Sequence, residues 1–505
     1  MAERGRKMHA GLPEAPREIG VIVSRYRING KRVIYILSGL GLFLSLYFLP
    51  FGGDALDPAG NSIPLTREGK ASLALFLLAA VWWVFEVVPV GITSIAIGVF
   101  QVLFGIRSAP DAFRDFMDPS VMFIFGVTVM GLALTKTGLS KRIAYKILSC
   151  AGESTGSILL FALVVTAGLS HIMAHTAAAA TVFPVLLAIY ALYGEGEKRT
   201  RFGKALFIGM AYAAGAGSII TLLGSGRAVA GAGLFKEFTG RDIGFYELTK
   251  YLFLVGWLMV LMIWGYLMIF LRPEKKVIHG LKGRLKRLSR DLGPLTREEG
   301  IVIATASFSI GLLFLQSFVP ALRAFDRAAL LLLAPLFFFL FEVLTLKDLE
   351  DIPWNIILLF SGALSIGFCL WETGAARWLA VNLLSLFRGG QWSLFVLSMA
   401  VCVMVMTNFI VNVAALALSL PVALAIAQYL GVAPDVVFYT LLVAAGMPFV
   451  LLTGAAPNAV AYEAGQFTPG DFFKHGIPMS ILLLVVLGIA LFIVWPLLGM
   501  PFAPK

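Results

Sequence analysis

Ser170-His171-Ile172-Met173-Ala174-His175-Thr176-Ala177 is a short polar break inside apolar sequence, and the chain repeats it at Thr407-Asn408-Phe409-Ile410-Val411-Asn412-Val413-Ala414. An apolar run ending in a proline follows each break, at Pro184 and Pro421. Two further echoes bracket this pair. Upstream, Leu134-Thr135-Lys136-Thr137-Gly138-Leu139 matches Leu370-Trp371-Glu372-Thr373-Gly374-Ala375, each after a glycine-containing apolar helix and each leading to an arginine, Arg142 or Arg377. Downstream, Gly215-Ala216-Gly217-Ser218 through Gly224-Ser225-Gly226 matches Gly446-Met447-Pro448 through Thr453-Gly454-Ala455-Ala456-Pro457-Asn458. Three paired features in one order, with a polar stretch from Arg272 to Glu299 between the sets, make the chain a tandem repeat.

The third pair reads as two helices interrupted by small residues and proline. In a bilayer, non-helical backbone persists where it is buried in protein or lines a cavity. Matched breaks in two halves are the sequence mark of a transporter binding site. Half-helix N-termini add partial positive charge there. The pattern favours movement of an ion or small anion over a scaffolding role.

Composition sets the solvent. Of 505 residues, 59% are hydrophobic and 14% charged, and the mean hydropathy is +0.89; no soluble globular domain has this balance. Apolar stretches at Val33 to Phe51, Tyr251 to Leu271, Ile301 to Leu322 and Ile477 to Trp495 each suffice for a hydrocarbon core of about 30 Å. Their continuity excludes the alternating pattern of a β-barrel. The expectation is an all-α polytopic membrane protein with about eleven transmembrane helices and some re-entrant segments. Cys150, Cys369 and Cys402 lie in or beside apolar helices without disulfide or zinc spacing, and read as packing residues.

The formal net charge of +11 would suit nucleic acid, but the basic residues collect where the chain leaves the membrane. One cluster (Arg4, Arg6, Lys7, Arg17, Arg25, Arg27, Lys31, Arg32) precedes the first span, and another (Lys275, Lys276, Lys282, Arg284, Lys286, Arg287, Arg290) fills the longest polar loop. Both belong in the cytoplasm by the positive-inside tendency. Residues 1–32 then form a basic cytoplasmic arm, 33–271 the first transmembrane half, 272–299 a basic cytoplasmic linker and 300–505 the second half. A cleavable signal peptide is not evident, because the basic arm leads straight into a full-length span.

The run Trp82-Trp83-Val84-Phe85-Glu86-Val87-Val88-Pro89 with Thr93-Ser94, the Thr137 to Arg142 segment, Arg201-Phe202-Gly203-Lys204-Ala205-Leu206, Ala211-Tyr212-Ala213-Ala214, Ile352-Pro353-Trp354-Asn355 and Pro457-Asn458-Ala459 carry a family likeness. Through them, from about Ala71 onward, the chain resembles the divalent anion/sodium symporter family, whose members handle dicarboxylates, citrate and sulfate. That resemblance implies two inverted repeats, each with a re-entrant hairpin tipped by Ser-Asn-Thr and a broken helix. It also implies a mobile body working against a dimerising scaffold, hence a homodimer, and sodium as a coupling ion. This sequence departs from the pattern at the first tip, Ala174-His175-Thr176, and at the second, Val411-Asn412-Val413. The first broken helix has Ser225 and Ala228 where the family carries Thr and Asn, with Arg227 between them, and Ala455 replaces a Thr in the second.

The resemblance marks the positions of His175, Thr176, Ser225, Asn412 and Asn458 as substrate-binding candidates, and Asn412, Asn458 and Thr453 as cation-binding ones; the charge itself, out of place at membrane depth, adds Arg227 to the substrate-binding set. An imidazole at a hairpin tip can donate to a carboxylate or sulfate. A guanidinium at membrane depth costs about 3 kcal/mol unless it faces water or an anion, and its planar fork suits an oxyanion. The bland alternatives are a hydrogen-bonded histidine in the bundle, an arginine snorkelling from a helix end and asparagines bridging helices. Arg227 and His175 are expected to supply positive charge that relatives obtain from sodium in the first half. His171, four residues before His175, is read as structural; the pair also has metal-ligand spacing, but no acidic residue or cysteine accompanies it. Glu86 and Glu342, in apolar surroundings, are expected at helix ends rather than in a proton relay.

The function expected is secondary transport of a small dicarboxylate or sulfate-like anion across a bacterial inner membrane, with the N-terminus cytoplasmic. No enzymatic activity, no metal, no cofactor and no nucleic-acid partner are expected. The alternatives are an anion channel or exchanger on the same scaffold, and an integral membrane metalloenzyme using His171 and His175.

Overall fold

A computed structural model of the chain describes residues 30–49, 53–57, 61–194, 199–384 and 391–503. The basic arm expected over residues 1–32 therefore falls outside the described residues except for its last three positions. Among the described residues the chain is helical apart from a two-stranded ribbon, Ala55–Leu56 paired antiparallel with Ser62–Ile63. Eight helices among them are long and apolar enough to cross a membrane. Large apolar side chains such as Phe253, Leu254, Leu261, Phe308, Ile481 and Phe492 lie exposed along these helices, as a lipid-facing surface requires.

The Thr-Gly echo has a structural cause. Helices Pro119–Lys136 and Trp354–Glu372 both end on threonines whose hydroxyls donate back one turn, Thr137 to the Ala133 carbonyl at 2.8 Å and Thr373 to the Cys369 carbonyl at 2.7 Å. The next residues, Gly138 and Gly374, take φ of 81° and 74°, a left-handed turn open to glycine without steric cost. Each turn leads into a short helix, Leu139–Leu148 or Ala375–Leu384.

From there the halves keep step. A hairpin follows (Thr155–Leu169 with His175–Tyr193, and Trp392–Phe409 with Asn412–Leu430), then a broken helix (Arg201–Ser218 with Gly226–Thr239, and Pro434–Ala445 with Ala456–Tyr462), then a long span (Phe245–Phe270, and Pro469–Ile489 with its continuation to Leu497). Before the Thr-Gly turns, Val90–Leu103 corresponds to Arg327–Leu340 and Arg67–Val84 to Arg297–Leu315. With each broken pair counted as one crossing and each hairpin as none, either half crosses five times, and an odd number inverts the second half relative to the first.

The repeats interlock by reciprocal packing. Val90–Leu103 packs on Trp354–Glu372 while its counterpart Arg327–Leu340 packs on Pro119–Lys136. The second arm of each broken helix packs on the other repeat: Gly226–Thr239 on Asn412–Leu430 and Pro434–Ala445, Ala456–Tyr462 on His175–Tyr193 and Arg201–Ser218. Exchanged contacts of this kind mark a pseudo-two-fold relation. They need small residues at the crossings: a Cβ at Gly362 would meet the Ser94 Cβ at 2.3 Å, and one at Gly217 the Ala167 Cα at 2.5 Å.

The polar stretch after Leu271 is not a plain loop. It holds the helix Leu281–Asp291, which buries Leu281 and Leu285 and leaves Lys282, Arg284 and Lys286 exposed. Glu274 accepts the amides of Arg201 at 2.6 Å and Phe202 at 3.2 Å and the Tyr193 hydroxyl at 3.1 Å. Burial pushes the pKa of this carboxyl up, but those amides outweigh it and hold the group below the usual carboxylate range. The linker thereby ties the first hairpin's outer end to the start of the first broken helix. Of the cysteines, Cys369 is a buried packing residue as expected, whereas Cys150 and Cys402 are exposed. Glu86 and Glu342 do stand at helix ends, both exposed, in left-handed turns with φ of 44° and 59°; the backbone turn, not a side-chain hydrogen bond, defines these positions.

Candidate functional site

The breaks in both helices come together at the centre of the molecule. A Cβ at Gly215 would lie 3.2 Å from the Gly446 carbonyl oxygen, so the last turns of the two half-helices nearly touch. Beside this contact lies a tight cleft of about 10 Å³, the room of about one water molecule. It is lined by His175 from the first hairpin tip, Tyr212 and Gly215 from the first broken helix, and Met447, Ala455 and Asn458 from the second. Both repeats therefore build it.

The hairpin tips are held to the broken helices by matched bonds. Thr221 donates its hydroxyl to the His171 carbonyl at 2.6 Å, and Thr453 donates to the Asn408 carbonyl at 3.4 Å. His171 sets its Nδ1 3.0 Å from the Gly217 carbonyl and packs edge-on against Trp257. Asn408 accepts the amides of Val450 and Leu451, each at 3.0 Å. His171 and Asn408 are thus structural, as the sequence indicates for His171. The His175 amide donates to the Gly224 carbonyl at 3.3 Å, which fixes the first tip on the first break.

Arg227 is the centre of charge. Ser225 caps the helix Gly226–Thr239 by accepting the Arg227 amide at 3.3 Å. The side chain turns back into the break, where Nη2 donates to the Ser218 hydroxyl at 2.6 Å and packs on the Gly446 backbone, so that a Cβ there would come within 2.8 Å of it. The residue is 2% exposed. Its Nε is buried without a hydrogen-bond partner, and so is Nδ1 of His175. Among the described residues, no carboxylate pairs with Arg227, and it is the charged group that acts on the His175 imidazole. Snorkelling to the membrane surface is ruled out by this placement.

The second-half candidates are placed differently. Asn458 lines the pocket but gives its Nδ2 to the Pro448 carbonyl at 3.0 Å and the Leu451 carbonyl at 3.2 Å, so its amide holds its own break together. The hydroxyl of Thr453 is committed to Asn408. Ser225 serves as a cap, and Thr176 sits half-buried one residue after His175. Asn412 is buried at the second tip, and its side chain makes no hydrogen bond among the described residues. The structure thus unites His175, Arg227, Ser225 and Asn458 around one break-to-break contact.

A second, wider opening was not read from the sequence. It has a volume of about 490 Å³ and is lined by Arg32, Glu86, Pro89, Val90, Asn355 and Val411. Arg32 donates its Nε to the Val87 carbonyl at 2.7 Å, and Asn355 accepts the Gly91 amide at 2.8 Å. The helices Val90–Leu103 and Trp354–Glu372 start here, behind prolines, without side-chain caps. Val411 adjoins Asn412, so this vestibule reaches the second hairpin tip.

Comparison with known proteins agrees with this architecture. A family model described as the sodium:sulfate symporter transmembrane region matches residues 56–501. The chain is 24% identical over 460 residues to the sodium-dependent dicarboxylate transporter SdcS of Staphylococcus saprophyticus, covering 86% of this chain and 88% of that one. It is 28% identical over 479 residues to an uncharacterized transporter of Haemophilus influenzae, covering 93% and 98%. Among solved structures it is similar in fold to MtrF of Neisseria gonorrhoeae (TM-score 0.58, 14% identity, 94% and 96% covered) and to the YdaH transporter of Alcanivorax borkumensis (TM-score 0.57, 13% identity, 94% and 99% covered). By the extent of the family match and the interlocked repeats that underlie it, the chain belongs to the sodium:sulfate symporter family of integral membrane proteins.

Proposed function

We propose that the protein is a secondary transporter that carries a small oxyanion, a dicarboxylate or a sulfate-like ion, across the cytoplasmic membrane by alternating access. The observation that carries this reading is the buried Arg227 guanidinium, with an unpartnered Nε, packed on Gly446 behind the cleft that both repeats build and that the unpartnered His175 lines. A buried guanidinium N–H without a protein acceptor calls for an acceptor from outside, and a guanidinium in a break between half-helices calls for an anion. Asn412 adds an amide from the second tip, and the oxygens near Thr453 and Asn458 offer a sodium ion a place in the second half. The naming of the SdcS relatives as dicarboxylate transporters supports the substrate class.

The vestibule supports the alternation. Arg32 and Asn355 stand at helix starts on the side of the basic linker, since Arg297–Leu315 and Arg327–Leu340 make two crossings between that linker and Trp354. With the linker cytoplasmic, the described conformation is open inward up to the second hairpin tip. Purified protein in liposomes should accumulate radiolabelled succinate or sulfate saturably when an anion, sodium or proton gradient is imposed. Absence of saturable uptake of both anions under every gradient would overturn the reading.

A further inference from the structure

We infer that the linker helix Leu281–Asp291 is a docking surface for anionic phospholipid, gripped by the headgroups of the leaflet it adjoins. The inference goes beyond transport and is independent of substrate and coupling. The positive-inside tendency accounts for cations in this stretch, and a shapeless loop would satisfy it equally well. It does not account for a folded helix that holds them on one face.

Lys282, Arg284, Lys286, Arg287 and Arg290 are all exposed on this helix, against the single acid Asp291. Among the described residues, none of the five makes an ion pair or a side-chain hydrogen bond. The opposite face buries Leu281 and Leu285, and the helix packs on Leu139–Leu148, which adds the exposed Lys141 and Lys146. Both ends of the linker are pinned. At its start the Thr155 amide donates to the Lys276 carbonyl at 3.0 Å, the Ile278 amide to the Glu153 carbonyl at 2.8 Å and the Gly280 amide to the Glu153 carboxylate at 3.0 Å. At its end Arg142 donates to the carbonyls of Leu292, Gly293 and Pro294 at 3.2, 2.9 and 3.1 Å. The cations therefore stand on a fixed plate and cannot fold back onto the protein's own carboxylates.

Apolar side chains beside the plate point to a bilayer. Val277 and Leu295 are exposed on either side of the helix, and Ile269 and Phe270 are exposed in the last turn of the span that precedes it. Cations together with exposed apolar side chains are the mark of a segment lying at the headgroup level. The chain on both sides of the linker runs into membrane-crossing helices, Phe245–Phe270 and Arg297–Leu315, so the plate is held near the surface before any lipid binds. An acidic protein would match the charge, but it would have to reach between these two spans. Each cation beside an anionic surface strengthens attachment about fivefold at low salt.

The test places a fluorophore on the plate. Gly283 lies among the cations, and a Cβ there would meet open space, so Gly283→Cys, with the exposed Cys150 and Cys402 replaced by serine, accepts a dye without disturbing the helix. The full chain is reconstituted in phosphatidylcholine vesicles carrying traces of phosphatidylglycerol or phosphatidylcholine, each nitroxide-labelled at the same place near the glycerol. Phosphatidylglycerol should reach half-quenching at a mole fraction at least about 10-fold lower than phosphatidylcholine. The preference should vanish at about 1 M salt, where the screening length falls to about 3 Å. Arg284→Lys, Arg287→Lys, Arg290→Lys together should keep it. Replacing all five cations by Gln should abolish it and leave the thermal midpoint unchanged, since those side chains hold no bonds. Equal quenching by the two lipids would overturn the inference, and saturable capture of polyglutamate by the same protein would then assign the face to an acidic protein partner. A preference that survives in the five-Gln variant would overturn the assignment to this helix.

Discussion

Arg227→Gln is expected to lower the affinity for succinate or sulfate by roughly 30-fold or more, the effect of removing one partner from a desolvated charged pair, about 2–5 kcal/mol. Isothermal titration of the purified protein reads this directly. A second readout separates ligand binding from a structural role. Arg227 is a buried cation without a carboxylate partner, so replacing it removes a cost from the anion-free state. The thermal midpoint of the anion-free variant should equal or exceed that of the wild type, and the added stabilisation by anion should shrink. If Arg227 were a structural bridge across its break, through its bond to Ser218, the anion-free midpoint would fall instead.

The largest expected loss of stability lies elsewhere. Arg107 is buried at the far end of Val90–Leu103 from the vestibule, and its guanidinium serves three partners: Asp115 at 2.5 Å, Glu372 at 2.7 and 2.9 Å, and Gln101 at 3.2 Å. Gln101 passes its own amide to Ser365 at 2.9 Å. Arg107, Asp115 and Gln101 come from the first repeat, Glu372 and Ser365 from the second, so this network locks the halves where Val90–Leu103 packs on Trp354–Glu372. Arg107→Met leaves Asp115, whose side chain is 3% exposed, as a buried unpaired carboxylate, and should destabilise the protein by about 3–5 kcal/mol. The double variant Arg107→Met, Asp115→Asn removes both charges and should regain a large part of that loss. Thermal unfolding in detergent measures both; a single variant as stable as the wild type would contradict the assignment of the lock.

The repeat was legible because its features are local. Left-handed turns need Gly138 and Gly374, half-helices need Gly, Ser and Pro at their breaks, and each requirement is met within a few residues of chain. Arg227 was legible as a charge out of place in apolar sequence. What pairs with what was less so, since that depends on residues brought together by crossing helices. Arg107, Asp115 and Glu372 read as ordinary charges at helix ends, and nothing local distinguishes them from the half-buried Asp111 or the exposed Arg114 nearby. Arg32 and Asn355 are similarly distant in sequence, and the vestibule they line exists through tertiary contact alone. Asn458 was singled out correctly as belonging to the second break, but its amide turns on Pro448 and Leu451 rather than into open space, a detail set by the backbone path of Gly446 to Ala455.

The central claim is that an anion occupies the pocket where the first hairpin tip meets both breaks. Ala455 is partly exposed in that pocket, and Cys150 and Cys402 are the exposed native cysteines. In a chain with those two replaced by serine, Ala455→Cys should react with a small thiol reagent, and saturating succinate or sulfate should slow that reaction with the same concentration dependence as transport. A labelling rate indifferent to either anion, in protein that still transports it, would contradict the placement of the site.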